Sequence, residues 1–170
     1  MMEIFLNGYF YNPSLGNLPF ESVINEIIKY VGLKEGGFYD IIVGCDSSSG
    51  KEPSFPVAVV VLRKGEGGRF FLKKISYQDR KFYSWKERVL QEVLLSCEMA
   101  LLLREKLETK MGDLSLLPNY QFRYIHADVG EHGATKDMIK EVVGLIRGNG
   151  FEPKIKPEAY VASVIADRYS

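Results

Sequence analysis

The feature that most constrains this chain is the run Tyr-Asp-Ile-Ile-Val-Gly-Cys at residues 39–45, followed at once by Asp46. Ile41, Ile42 and Val43 are consecutive, so both sides of the run carry apolar residues, as in a central strand buried on both faces. Such a strand needs partners at both edges and cover above and below, and the flanking sequence supplies them. Residues 57–63 and 69–76 are two further apolar runs, and Gly65, Gly67 and Gly68 between them predict an antiparallel hairpin. Ser84 and Glu87 form a capping-box pattern that opens a long helix to about residue 110. Residues 120–127 read as a strand. Thr135 then caps a helix with Met138, Ile139, Val142, Val143 and Ile146 on one face. Residues 152–156 make the last strand, and Pro157 opens a short closing helix. Upstream, Phe20, Val23, Ile24, Ile27, Ile28 and Val31 have the spacing of an amphipathic helix. Residues 3–19 read as an irregular lead-in with room for one short strand. The expectation is one α/β domain over residues 1–170, with residues 1–37 as an N-terminal extension carrying one helix. Its mixed five-stranded sheet runs as an antiparallel meander followed by β-α-β-α, with helices on both faces.

Composition bounds the function. Of 170 residues, 46% are apolar and 26% charged, which excludes a mainly disordered chain. Lys plus Arg and Asp plus Glu balance at 22 each, which counts against a binder driven by phosphate neutralisation alone. An enzyme with a local basic groove and metal ions stays compatible with that balance. Cys45 and Cys97 have no cysteine neighbours at zinc-ribbon spacing and are expected as reduced, buried thiols. Residues 1–8 lack the basic and apolar regions of a secretion signal, and the most apolar helix is interrupted by Gln91, Glu92, Ser96 and Glu98. The expected location is the cytoplasm, with no membrane partner.

Four carboxylates fall where this order of elements can bring them together: Asp46 and Asp128 at strand ends, Glu92 in the long helix, and Asp167 in the closing helix. Strand ends of α/β sheets are where ligands gather. Three- and four-residue spacing places Glu92 with Trp85, Val89, Ser96, Ala100, Leu103 and Leu107 on the stripe facing the sheet, and Gln91 with Glu87, Glu98 and Glu105 on the solvent side. A carboxylate turned toward a core is costly unless it is paired, hydrogen-bonded or bound to metal. Clustered carboxylates also repel one another, a penalty that a hard divalent cation, Mg²⁺ or Mn²⁺, removes. The residues alone equally fit a plainer reading, in which Asp46 and Asp128 cap loops after strands.

Several other residues are candidates for substrate contact, each with a plain structural alternative. Ser47 and Ser48 can meet a phosphate or satisfy turn amides. Alternation along the strand predicts that His126 shares a side with Asp128, whereas His132 lies in the following loop as a proton shuttle or an exposed residue. Gly130, Gly133 and Thr135 lead into a helix N-terminus able to receive a phosphate. Lys73, Lys74, Arg80, Lys81 and Lys86 interleave with Tyr77, Phe82, Tyr83 and Trp85, the one basic-aromatic stretch in the chain. It either tracks a nucleic-acid backbone and stacks bases or is a solvated connection with its aromatics packed beneath.

The motifs Phe20-Glu21-Ser22-Val23, Val43-Gly44-Cys45-Asp46-Ser47-Ser48, Gly67-Gly68-Arg69-Phe70-Phe71, Gln91-Glu92-Val93, His126-Ala127-Asp128-Val129-Gly130 and Ala162-Ser163-Val164-Ile165-Ala166-Asp167 together resemble the ribonuclease H-like proteins of the YkuK type. The resemblance runs over nearly the whole chain. It implies a ribonuclease H-like fold and a metal-dependent nuclease site acting on RNA, DNA or a hybrid, with Asp46, Glu92, Asp128 and Asp167 as metal ligands to two Mg²⁺ or Mn²⁺ ions. It departs from the family pattern at Cys45 and Ser48, where Thr and Gln are common. The competing expectation is a non-catalytic module on the same fold that binds nucleic acid or protein.

Overall fold

The computed structural model describes residues 3–32, 37–113 and 119–161. β3 (Tyr39–Cys45) is buried at every position, as its two-sided apolar pattern requires. On one edge it pairs antiparallel with β4 (Ser54–Arg63), which pairs antiparallel with β5 (Gly68–Ser76). Gly65 and Gly67 have φ of 80° and 88° in the β4–β5 turn, a conformation open to glycine at little cost. On its other edge β3 pairs parallel with β6 (Tyr120–His126), and β6 pairs parallel with β7 (Glu152–Lys154).

The sheet has seven strands in the order β2-β1-β5-β4-β3-β6-β7, not the five expected. The two additional strands come from the lead-in. After a short helix α1 (Glu3–Leu6), β1 (Phe10–Asn12) and β2 (Gly16–Leu18) form a hairpin, and β1 joins the outer edge of β5 at Tyr11 and Leu72. The side chain of Asn12 ties this hairpin down. Its Nδ2 donates to the Phe70 carbonyl, while its Oδ1 accepts from the backbone N–H groups of Ser14 and Leu15.

The main core lies between one face of the sheet and three helices. α2 (Phe20–Gly32) contributes Phe20, Val23, Ile24 and Ile27. α3 (Trp85–Met111) begins where Ser84 Oγ accepts from the Glu87 N–H, as the capping pattern predicts. It contributes Val93, Leu95, Met99, Leu103 and Leu107 against Ile41, Val43, Val57 and Val59. α4 (Ile139–Gly148) adds Val142 and Ile146. The second face, at Ile42, Ala58, Val60 and Leu72, packs against Val161. Most of the closing helix expected from Pro157 onward, residues 162–170, lies outside the described residues. Pro157 does not open a helix: it follows a cis peptide bond within a turn. Both cysteines are buried free thiols, as expected. No helix among the described residues is long and apolar enough to cross a membrane.

The basic-aromatic stretch resolves mostly to packing. Phe82 is fully buried, with its ring 5.0 Å from Phe55 and 5.9 Å from Tyr77. The Arg80 guanidinium sits 4.5 Å over that ring and donates to Gln91 Oε1 at 3.0 Å. Gln91 Nε2 in turn donates to Tyr77 Oη at 2.7 Å, so Gln91 is buried rather than on the solvent side of α3 as the helical spacing suggested. The 77–82 segment crosses α3 there and covers it. Phe82→Ala is therefore expected to cost about 3–5 kcal/mol in a urea titration, the range for emptying a buried aromatic site. An unchanged midpoint would show Phe82 to be a surface residue.

Candidate metal centre

The parallel register builds the site. Gly44 stands opposite His126, and His126 opposite Lys154. Two residues further on, the same row brings Asp46, Asp128 and Lys156 side by side at the C-terminal edge of the parallel strands. All three lie beyond the last paired residues, where the pleat no longer dictates side-chain direction. The chain is held there by hydrogen bonds from Ala127 N–H to the Lys154 carbonyl at 2.9 Å and from Lys156 N–H to the Val129 carbonyl at 2.8 Å. α3 packs on β3 and delivers Glu92 from above.

The result is a cluster of three carboxylates, Asp46, Glu92 and Asp128, with one oxygen of each lying within 4.8 Å of the others. Asp46 and Glu92 are 8% and 5% exposed. Ser47 is interposed between them: its N–H donates to Asp46 Oδ1 at 2.8 Å and its hydroxyl to Glu92 Oε2 at 2.8 Å. Burial drives the Glu92 carboxyl well above the usual range, and the Asp46 charge pushes it further. The Ser47 hydrogen bond opposes the shift, Asp128 adds to it, and Arg88 opposes it again. The Cys45 thiol is likewise pushed up, by burial and then by Glu92 and Asp46. Three carboxylates this close and this dry are costly without a counter-charge. An all-oxygen donor set of this size fits a hard divalent cation such as Mg²⁺ or Mn²⁺.

Glu92 and Asp128 open onto a cavity of about 260 Å³ that Ser47, Trp85, Arg88, Thr135 and Lys156 also line. A larger recess of about 730 Å³ lies at the opposite end of the parallel strands, near Phe38, Arg104 and Tyr120, and contains none of the clustered carboxylates. Chemistry rather than size marks the smaller one.

The remaining candidates divide. Ser48 is used internally: its hydroxyl accepts from the Ser54 N–H at 2.9 Å. Thr135 lines the cavity but does not cap α4. A 3-10 turn at Lys136–Met138 precedes that helix, and Thr135 Oγ1 instead accepts from the Gly130 N–H at 3.1 Å, so that loop amide already has its partner. Lys86 is exposed, its ammonium 5.7 Å from the centre of the Trp85 ring. His132 is exposed beside Lys136 and Lys140. Asp167 and the motif at residues 162–167 fall outside the described residues.

His126 does not share a side with Asp128. It is still within the ladder, so the pleat sends it to the second face, where its Nδ1 accepts from the Val161 N–H at 3.2 Å and its ring meets Tyr160 edge-on at 4.8 Å. Burial, then the Lys154 charge, lowers its pKa from 6.5 to about 4. A histidine held neutral in the fold contributes stability that is present above 6.5 and lost as pH falls through about 4. Between neutral pH and about pH 4 the wild type should lose about 3 kcal/mol more than His126→Asn, which keeps an acceptor for Val161. Equal acid-side losses in urea titrations of the two proteins would show that His126 is not held neutral.

Two residues at the site were not anticipated from sequence. Arg88, one helical turn before Glu92, is signalled by i,i+4 spacing alone. Lys156 reaches Asp128 Oδ1 at 2.8 Å, a contact that becomes visible only with the β6–β7 register.

Comparison with known proteins agrees with this architecture. The chain is 32% identical over 168 residues to the uncharacterized protein YkuK of Bacillus subtilis (strain 168), an alignment covering 95% of this chain and 96% of that protein. No solved structure matches it significantly. Residues 22–170 match the family described as Ribonuclease H-like. From β5 to β7 the sheet order follows an antiparallel meander into two parallel strands, and the chain belongs to the Ribonuclease H-like family.

Proposed function

We propose that this protein is a metal-dependent nuclease that hydrolyses phosphodiester bonds of RNA, DNA or a hybrid. The observation that carries the proposal is the meeting of Asp46, Glu92 and Asp128, from three different elements, within 4.8 Å. With Asp167 as a fourth ligand, carried over from the family pattern, the carboxylates would hold two Mg²⁺ or Mn²⁺ ions. Bound there, such ions supply an activated water and stabilise the leaving oxygen. The protein's own residues orient and select. Ser47 fixes the Asp46 and Glu92 oxygens through its two donated bonds. Arg88 and Lys156 give the cavity a positive rim for a phosphate, and Trp85 gives it an aromatic wall. Tyr83, 69% exposed and two residues before Trp85, would offer a ring on which a base can stack. Thr135, His132 and Lys86 remain as substrate contacts at the margin, whereas Ser48 and His126 are spent on internal bonds.

The test is a cleavage assay on single-stranded and duplex RNA, DNA and hybrid substrates. Cleavage is expected with Mn²⁺ or Mg²⁺ and none in chelator. Metal-independent cleavage, or none on any substrate, would count against the proposal.

The Lys156–Asp128 ion pair favours a second reading, a binding module whose acid is neutralised internally. That protein would retain oligonucleotides on a filter in chelator and show no heat on titration with Mn²⁺.

A further inference from the structure

We propose that Lys156 is a tethered counter-ion of Asp128 that has to give way when the carboxylates take a divalent cation, so that this lysine sets the metal affinity of the site. The inference rests on the metal-dependent reading above.

The lysine is delivered by backbone geometry. The row Gly44, His126, Lys154 continues two residues on as Asp46, Asp128, Lys156. The Lys156 N–H is anchored to the Val129 carbonyl at 2.8 Å. Gly130 lets the two segments close up, since a Cβ there would lie 3.0 Å from Lys156 Cβ, tighter than most such contacts. From this anchor the ammonium reaches Asp128 Oδ1 at 2.8 Å, with the lysine side chain 47% and the aspartate side chain 22% exposed.

Asp128 is thus shared between two uses. Its carboxylate is one of the three whose oxygens lie within 4.8 Å of each other, and it is also the ion-pair partner of Lys156. A divalent cation among those oxygens would draw on the same carboxylate charge and would stand within a few ångströms of the ammonium, a separation at which like charges repel strongly in a partly buried site. The half-exposed lysine stem lets the ammonium move off into the cavity while its backbone stays fixed. There it joins Arg88 on the side from which a phosphate would approach. The lysine therefore neutralises Asp128 without metal and becomes a phosphate contact with it.

The test is calorimetric titration of the full chain with MnCl₂, comparing wild type, Lys156→Met and Lys156→Arg. Removing the competitor should tighten Mn²⁺ binding by roughly fivefold, the scale of one half-exposed ion pair. Lys156→Arg keeps the charge and should stay with the wild type. A lysine that merely supported the fold would weaken binding when removed, so the direction of change is diagnostic. Equal or weaker binding by Lys156→Met overturns this inference and leaves the metal site standing. Absence of Mn²⁺ binding in every protein overturns both. Should Lys156→Met give no folded protein by circular dichroism, Lys156→Gln takes its place in the same comparison.

Discussion

Asp46→Asn is expected to lower Mn²⁺-dependent cleavage by roughly a thousandfold while leaving the metal-free protein folded. The amide keeps the shape of the carboxylate and loses its charge. Cation stabilisation of a phosphodiester transition state is worth several kcal/mol, and each 1.36 kcal/mol is a factor of ten. A misfolding explanation is separable, because Asp46 is among the groups that push the Glu92 carboxyl up. Neutralising it relieves repulsion in the cluster, so the melting temperature without metal should hold or rise. A variant with wild-type initial rates would place the chemistry elsewhere in the molecule.

The second large effect is on stability. Free Mn²⁺ at a hundred times its dissociation constant should stabilise the wild type by about 2.7 kcal/mol. For a chain of this size that corresponds to a rise of about 5–10 °C in melting temperature. Glu92 makes the dependence on metal and on pH specific. Its pKa in the fold is raised, so the stability it contributes is present below its ordinary value of 4.5 and is lost as pH rises through the raised one. Without metal, Glu92→Gln should therefore melt above the wild type at neutral pH, and the gap should close as pH falls toward 4.5. With Mn²⁺ the order should reverse, because the amide has given up an anionic ligand. A wild type that melts at the same temperature in Mn²⁺ and in chelator would leave the acidic cluster without a metal role.

Much of this architecture was legible because the chain repeats its burial pattern in plain periodicity. The two-sided apolar run of β3, the glycine-punctuated β4–β5 hairpin and the helical stripe of α2 each bury what the pattern says they should. The β1–β2 hairpin was not legible. Strands of three residues, Phe-Tyr-Asn and Gly-Asn-Leu, are too short to show alternation, and they are held by Asn12 and by the free edge of β5. Asp46, Glu92 and Asp128 could be grouped because each sits at a strand end or on the inward stripe of a helix. Lys156 could not, because nothing local in residues 152–156 reveals which residue of β6 stands alongside. His126 failed for a related reason. Alternation holds while a strand is paired, and the ladder ends between His126 and Asp128, so the two side chains part. Gln91 was misplaced because helical spacing identifies the face turned to the sheet and is blind to the 77–82 segment that crosses the other side.

The central claim is that Asp46, Glu92 and Asp128 together hold a divalent cation, and anomalous diffraction from a crystal soaked in MnCl₂ tests it most directly. The expected result is a manganese peak bonded to oxygens of all three side chains, at about 2.0–2.3 Å. A crystal with manganese elsewhere, or none, and those three carboxylates facing only solvent and protein, would contradict it.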